Sequence, residues 1–220
     1  MSDRRSLLYV SPVVPAMTGN GLAMRAAHVL LALARSFRVS LLVAVRYGSP
    51  PGWAVPPEIV AVCREIVVVP EADALQLTPA FGDAPFDAVH VFRLGTVPAA
   101  RPFLETEPAP ERRLDLDDVE SATLRRIAAL YRQRGDHVRA HAEETAAEAA
   151  LRAEHETLRL FDRLYVCSAG DVGRLPEGVR ERAAVLPNVL PIAEPLPPVP
   201  DHDPVDILFV GTLGYFPNAD

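Results

Sequence analysis

The residues best suited to chemistry lie in short polar segments that each follow an apolar run. Residues 11–25 (SPVVPAMTGNGLAMR) place Gly19 and Gly21 immediately before an apolar helical pattern, and they place Arg25 in its first turn. Glycines let backbone N–H groups approach a ligand closely, and a helix amino terminus favours an anion such as phosphate. A loop that is rich in glycine only because it turns gives the same pattern, so both interpretations stay open.

A dinucleotide site of the G-x-G-x-x-G kind is not favoured by this loop. Its third glycine position is occupied by Met24. The second apolar run continues into Ala44, Val45 and Arg46, where such a site would carry the acid that binds ribose.

A second candidate segment is acidic and covers residues 112–121 (RRLDLDDVES). It places Asp115, Asp117 and Asp118 at the carboxyl end of a predicted strand, where ligands bind in open parallel sheets. A carboxylate there could orient a sugar hydroxyl or act as a base. Equally, Asp117 followed three residues later by Glu120 is typical of a capping box that starts a helix.

Arg93 and His90 lie in and just after the fourth apolar run (DAVHVFRLG). An arginine at the carboxyl end of a strand suits phosphate or carboxylate. A histidine inside a strand is more typical of a packed core residue than of a catalytic base, and we predict that role for His90.

Two further patterns favour structural roles. Ser168 and Asp171, in CSAGD, have the spacing of a helix cap. His137 and His141 are four residues apart and share a helix face, but Val138 stands where a metalloprotease motif has glutamate, so a solvated face is predicted instead of a metal site.

The elements that must position these residues alternate between short apolar runs and helical patterns, which is typical of βαβ units on a parallel sheet. The first helix has a clear apolar stripe that includes Ala23, Ala27 and Leu30. We therefore predict an α/β fold, a Rossmann-like parallel sheet with helices on both faces. The predicted strands cover residues 7–10, 39–43, 66–69, 88–92, 113–116, 164–167 and 184–186.

The pattern changes along the second half of the chain. Residues 118–160 predict two long helices with a break at Gly135. Residues 191–204 contain six prolines in fourteen positions, which indicates a stiff extended linker. We therefore expect a domain over residues 1–190, a linker over 191–204, and the first strand of a missing second domain over 205–220.

Composition narrows the possible partners. The formal net charge is −7, with 29 acidic and 22 basic residues, and the arginines are dispersed, which argues against nucleic acid as a partner. Cys63 and Cys167 are far apart and lack metal-site spacing, so free thiols are expected. The apolar stretch before the first Ser-Pro is too short for a signal sequence, so the expected location is the cytoplasm.

Taken in order, these motifs resemble the amino-terminal half of family-4 glycosyltransferases of the GT-B fold, especially bacterial exopolysaccharide sugar transferases. The resemblance includes TGNG before the first helix, LDLDDVES, DRLYVCSAGD, VLPNV, the proline-rich linker and ILFVGTLGYFPNAD. It implies retaining transfer of a sugar from a nucleotide-sugar, the co-substrate, to a sugar or lipid-linked acceptor, with no cofactor and no bound metal. Peripheral contact with the inner face of the membrane is compatible with it.

The resemblance also implies roles for individual residues. Gly19, Asn20 and Gly21 would face the donor phosphates through their backbone, and Arg25 would add a supporting charge. Arg93 and Asp117 would take acceptor or cleft roles. The donor-binding half would lie beyond residue 220 or come from a separate chain. The alternative is a non-catalytic glycan- or phosphate-binding subunit that another chain completes.

Overall fold

All seven predicted strands are present in the computed structural model, which describes residues 4–45, 54–70, 81 and 85–189. They form one parallel sheet in the order β3-β2-β1-β4-β5-β6-β7. The predicted α/β fold with a Rossmann-like sheet is therefore confirmed. The strands are β1 Ser6–Ser11, β2 Arg38–Val45, β3 Cys63–Pro70, β4 Ala88–Phe92, β5 Glu111–Asp117, β6 Arg163–Val166 and β7 Ala183–Val185.

The strand order changes direction between β1 and β4. Successive strands extend from β1 toward β3 on one side and from β4 toward β7 on the other. In open α/β sheets, the crevice at the carboxyl ends of such neighbouring strands is where ligands bind. The loops that follow β1 and β4 flank this crevice, and they contain Gly19 and Arg93.

The first helix and the long helical region agree with the sequence prediction, whereas the helices at Pro57–Val60 and Val97–Leu104 were not predicted. The long helical region divides into two helices on either side of Gly135, whose φ of +78° suits glycine. Contacts between Ser121 and Glu154 and between Arg132 and Glu144 show that these two helices pack antiparallel. The described helices are α1 Gly21–Leu33, α2 Pro57–Val60, α3 Val97–Leu104, α4 Glu120–Gln133, α5 His137–Thr157 and α6 Ala169–Arg174.

Alternation along the strands divides the core between the two faces of the sheet. In β1, Leu7 and Tyr9 pack on the face that α1 covers with Ala23, Ala26, Ala27 and Leu30. Leu8 and Val10 pack on the opposite face, together with Val97, Ala100 and Phe103 of α3. Each fully buried leucine contributes about 1.5–3 kcal/mol. Helices therefore cover both faces, as predicted.

The chain divides into two compact units, Met1–Asn188 and Val189–Asp220. The predicted linker at 191–204 and the predicted strand at 205–220 lie outside the described residues. Both cysteines are free thiols, and His137 and His141 are exposed on α5, as expected. Within the described ranges, no helix is both long and apolar enough to cross a bilayer.

Candidate functional site

The glycine-rich loop lies at the carboxyl end of β1, where α1 begins. The side-chain Oδ1 of Asn20 accepts a hydrogen bond from the backbone N–H of Ala23 at 2.9 Å, which caps the helix. Gly19 has a φ of +105°, which side chains disfavour. Gly19, Asn20 and Gly21 are all exposed. The loop therefore presents the positive end of a 13-residue helix to the crevice.

Arg25 lies beneath this loop and is only 5% exposed. Its guanidinium binds Asp115 through two hydrogen bonds, Nε to Oδ2 at 3.1 Å and Nη2 to Oδ1 at 2.8 Å. Its Nε lies 3.5 Å from Oδ1 of Asp117, and its Nη1 donates to Oδ1 of Asn188 at 3.0 Å. Arg25, the fifth residue of α1, therefore joins this helix to the end of β5 and to the segment after β7.

The charge of Arg25 is stabilised inside the protein. Burial opposes it, but the hydrogen bonds and charge of Asp115, with the charge of Asp117, raise the pKa of Arg25 above its ordinary value. Because each of its three guanidinium nitrogens already has a partner, Arg25 is suited to hold the site together. The sequence shows that Arg25 follows the glycine-rich loop, and the structure shows that its acidic partners are Asp115 and Asp117.

Arg93 and Asp117 meet at the carboxyl ends of the neighbouring strands β4 and β5. Nη1 of Arg93 lies 3.1 Å from Oδ2 of Asp117 and also contacts Oδ1 of Asp118. The backbone N–H of Arg93 donates to the carbonyl oxygen of Asp115 at 2.7 Å. The two predicted cleft residues are therefore direct neighbours.

Both residues of this pair have left-handed backbone conformations. The φ angles are +71° for Arg93 and +63° for Asp117, and they are the only positive values among the described non-glycine residues. Such conformations cost on the order of 1–3 kcal/mol and cluster at ligand sites and switch regions. The two outliers thus mark the carboxyl ends of β4 and β5 as the best candidate site in the described chain.

The capping alternative for Asp117 is wrong. The N-cap of α4 is Val119, and no side chain of its own caps the helix. Instead, Glu154 of α5 accepts hydrogen bonds from the backbone N–H of Ser121 at 3.0 Å and from its hydroxyl at 2.6 Å. By contrast, the predicted cap at Ser168 is confirmed, because its hydroxyl accepts from the backbone N–H of Asp171 at 3.3 Å.

His90 is a packed histidine, as predicted. It is 2% exposed and stacks between Tyr9 and Tyr165, with ring centroids 5.2 and 5.8 Å away. Burial, together with the charges of Arg113 and Arg25, lowers the pKa of His90 to about 3. Neither ring nitrogen has a hydrogen-bond partner among the described residues. His90 is therefore neutral at physiological pH and enclosed in the sheet.

The chemistry open to the site follows from its exposed rim. The side chains of Arg93, Asp117 and Asp118 are 20%, 21% and 38% exposed, whereas Arg25 and Asp115 are buried. A carboxylate can accept hydrogen bonds from hydroxyl groups, and a guanidinium can donate to phosphate or carboxylate. Asp115, Asp117 and Asp118 are each paired with an arginine. Binding a polar ligand therefore suits these carboxylates better than abstracting a proton.

Several residues that support the site have no signal of that role in the sequence. Cys167 donates from Sγ to Oδ1 of Asp117 at 3.2 Å, and Asn188 and Glu154 make the contacts given above. Alternation in LDLD could have placed Asp115 on the same sheet face as Asp117. No local signal identifies the other contacts, because their partners come from distant segments.

No protein-family model matches the chain, and a search of curated proteins finds no match either. The class that the fold defines is a Rossmann-like α/β protein with an all-parallel sheet.

Proposed function

We propose that the chain is the acceptor-side half of a retaining, nucleotide-sugar-dependent glycosyltransferase similar to family 4 of the GT-B enzymes. The observation that carries this proposal is the Arg93–Asp117 pair, held in left-handed backbone at adjacent strand ends. The pair and the glycine-rich loop both lie at the carboxyl ends of the strands, where open parallel sheets bind ligands. The order of the sequence motifs supports the same class.

In this proposal, the glycine-rich loop and the Arg93–Asp117 pair bind different groups of the substrates. The exposed backbone of Gly19, Asn20 and Gly21, at the positive end of α1, binds the donor phosphates. Arg93 and Asp117 bind and orient acceptor hydroxyls. Arg25 is a positioning residue, because it contacts Asp117 and is itself buried.

The proposed reaction transfers the sugar to an acceptor hydroxyl. The new glycosidic bond forms at the anomeric carbon, the bond to the nucleoside diphosphate breaks, and the hydroxyl proton leaves with the diphosphate. The residues that bind the nucleoside would come from outside the described part of this chain or from another chain.

The test measures binding and turnover separately. UDP-glucose, GDP-mannose and mono- and disaccharide acceptors are screened by saturation-transfer NMR, and release of nucleoside diphosphate is followed with each donor and acceptor pair. We expect Arg93→Gln and Asp117→Asn to weaken acceptor binding at least fivefold. Arg139→Gln, which alters a 68% exposed arginine on α5, is the matched control and leaves binding unchanged. A folded wild-type protein that binds none of these ligands would overturn the proposal.

A non-catalytic glycan- or phosphate-binding subunit is the second candidate. The observation that favours it is that Asp115, Asp117 and Asp118 are all ion-paired with arginine, which suits them to bind a polar ligand and assigns them no step in a reaction. Ligand binding that depends on Arg93, without diphosphate release for any donor and acceptor pair, would support this candidate over a transferase.

A further inference from the structure

A second charged cluster lies at the opposite end of the strands, where β1, β5 and β6 begin. Glu111 is surrounded by three arginines. Its carboxylate lies 3.2 Å from Nη1 of Arg5, 2.9 Å from Nη2 of Arg113 and 3.4 Å from Nε of Arg163. Alternation places Glu111, Arg113 and Arg163 on one sheet face.

The cluster has more positive than negative charge. Three guanidinium groups share one carboxylate, whereas the chain as a whole has a net charge of −7. Partial burial opposes the charge of Glu111, but Arg113 and Arg5 lower its pKa below the ordinary value, so it stays ionised. The nearby Asp87 carboxylate is a second negative charge: hydrogen bonds from the backbone N–H and hydroxyl of Ser6, together with the charge of Arg5, lower its pKa, so three guanidinium groups face two carboxylates. A further anion would offset the remaining positive charge.

Two of the arginines, Arg5 and Arg113, pack against the ring of Phe37. The guanidinium carbons of Arg5 and Arg113 lie 5.8 and 5.0 Å from the centroid of the Phe37 ring. Arg5 also donates from Nη2 to the carbonyl oxygen of Asp87 at 3.1 Å. These contacts restrict the arginine side chains before any ligand binds. Binding therefore costs little further side-chain conformational entropy.

Donors remain free for a ligand. Arg163 is 65% exposed and contacts Glu111 only through Nε, so its two terminal nitrogens have no partner in the described part of the chain. Planar guanidinium groups bind phosphate oxygens through paired hydrogen bonds.

We propose that Arg5, Arg113 and Arg163 form a binding site for a phosphate group at the amino-terminal end of the sheet. The ligand is a phosphate ester, carried either by a soluble metabolite or by a lipid headgroup. This site lies at the opposite end of the strands from Arg93 and Asp117, and it does not depend on the proposed function.

The experiment compares two arginine–glutamate ion pairs, Arg163 with Glu111 in the cluster and Arg101 with Glu105 outside it. Pyrophosphate is titrated into full-length protein, and the arginine Nε–H signals are followed by NMR. We expect saturable shifts in the wild-type protein and at least fivefold weaker binding in Arg163→Gln. The control Arg101→Gln removes an arginine that is 63% exposed and paired with Glu105, and it leaves the affinity unchanged within twofold.

The Glu111 carboxylate competes with a bound phosphate for the arginines, so its removal should change the affinity in the opposite direction. Removing the negative charge in Glu111→Gln should strengthen pyrophosphate binding at least threefold, whereas Glu105→Gln should have no effect. Melting temperatures verify that each variant is folded. Equal effects of the two arginine variants, or of the two glutamate variants, would show that only net charge matters and would overturn the site.

A second arm distinguishes the sources of the phosphate. Sedimentation with vesicles of phosphatidylcholine, with and without phosphatidylglycerol, is measured for the same variants. Arg163-dependent binding to phosphatidylglycerol vesicles supports a lipid headgroup, and Arg163-dependent binding of pyrophosphate alone supports a soluble phosphate ester. Absence of both kinds of binding in the wild-type protein overturns the proposal.

Discussion

Arg25 and Asp115 form a buried, doubly hydrogen-bonded ion pair that joins the amino-terminal part of α1 to β5. Their side chains are 3% and 0% exposed, and the shorter contact is 2.8 Å. The same guanidinium reaches Asp117 and Asn188. Because one buried pair fixes the loop before α1 relative to the end of β5, both parts of the candidate site depend on it.

Breaking this pair should destabilise the whole protein. We expect Asp115→Asn and Arg25→Met each to lower the free energy of unfolding by about 3–5 kcal/mol, since each leaves a buried group without its partner. The double variant should lose less than the sum of the two. Urea unfolding followed by circular dichroism measures all three. The exposed pair is the control: Arg101→Met and Glu105→Gln should each cost under about 0.5 kcal/mol. Additive losses at Arg25 and Asp115 would contradict this account.

The left-handed backbone at Asp117 can be tested with two small residues. Asp117→Gly and Asp117→Ala both remove the ion pairs, but alanine retains the strain of a φ of +63°. We expect the glycine variant to be more stable by about 1 kcal/mol. At Asp118, which is not among the positive-φ residues, the order should reverse because glycine loses more backbone entropy. Urea unfolding of the four variants is sufficient, and the same order at both positions would rule out strain at Asp117.

The fold could be predicted from the sequence because its signals are local. Alternation and apolar runs identified all seven strands, and the apolar stripe identified α1. For the predicted elements only the ends differ, by a few residues, and the helices α2 and α3 were not predicted. For the strands, the reason is that polar residues such as Arg38 and Glu111 extend the hydrogen-bonded ladder at the partly exposed starts of interior strands.

The site could be predicted only in part. Strand ends pointed to Arg93 and Asp117, but their mutual contact depends on the strand order, which brings β4 next to β5. The capping pattern at Asp117 failed because a carboxylate from another helix, Glu154, satisfies the start of α4. No sequence motif encodes a contact of that kind, since it is fixed by how α4 and α5 pack.

Glu154 should stabilise the helix start that follows Asp118. It is fully buried and accepts from the backbone N–H and hydroxyl of Ser121. We expect Glu154→Ala to cost about 2 kcal/mol, because a buried donor loses its partner. Hydrogen exchange of the first-turn amides of α4 should accelerate in the same variant. Glu148→Ala, at an exposed position of α5, is the matched control and should change stability by under about 0.5 kcal/mol. Equal costs for both variants would exclude the tertiary cap.

Burial of neutral His90 should make the protein sensitive to acid. The pKa of His90 is about 3 in the folded protein, whereas an unfolded histidine titrates near pH ~6.5. Below pH ~6.5 the unfolded chain takes up a proton that the folded protein does not, so stability is complete above this pH and declines toward pH 3.

His90→Phe isolates this contribution, since phenylalanine keeps an aromatic ring between Tyr9 and Tyr165 and cannot be protonated. Between pH 7 and pH 5, we expect the wild-type protein to lose on the order of 2 kcal/mol more than the variant. Urea unfolding at both pH values gives the difference. At pH 7 the variant should be at least as stable as the wild type, because it removes from the interior two ring nitrogens that have no hydrogen-bond partner among the described residues. Parallel stability curves for the two proteins would mean that His90 is protonated, or reached by solvent, in the folded state.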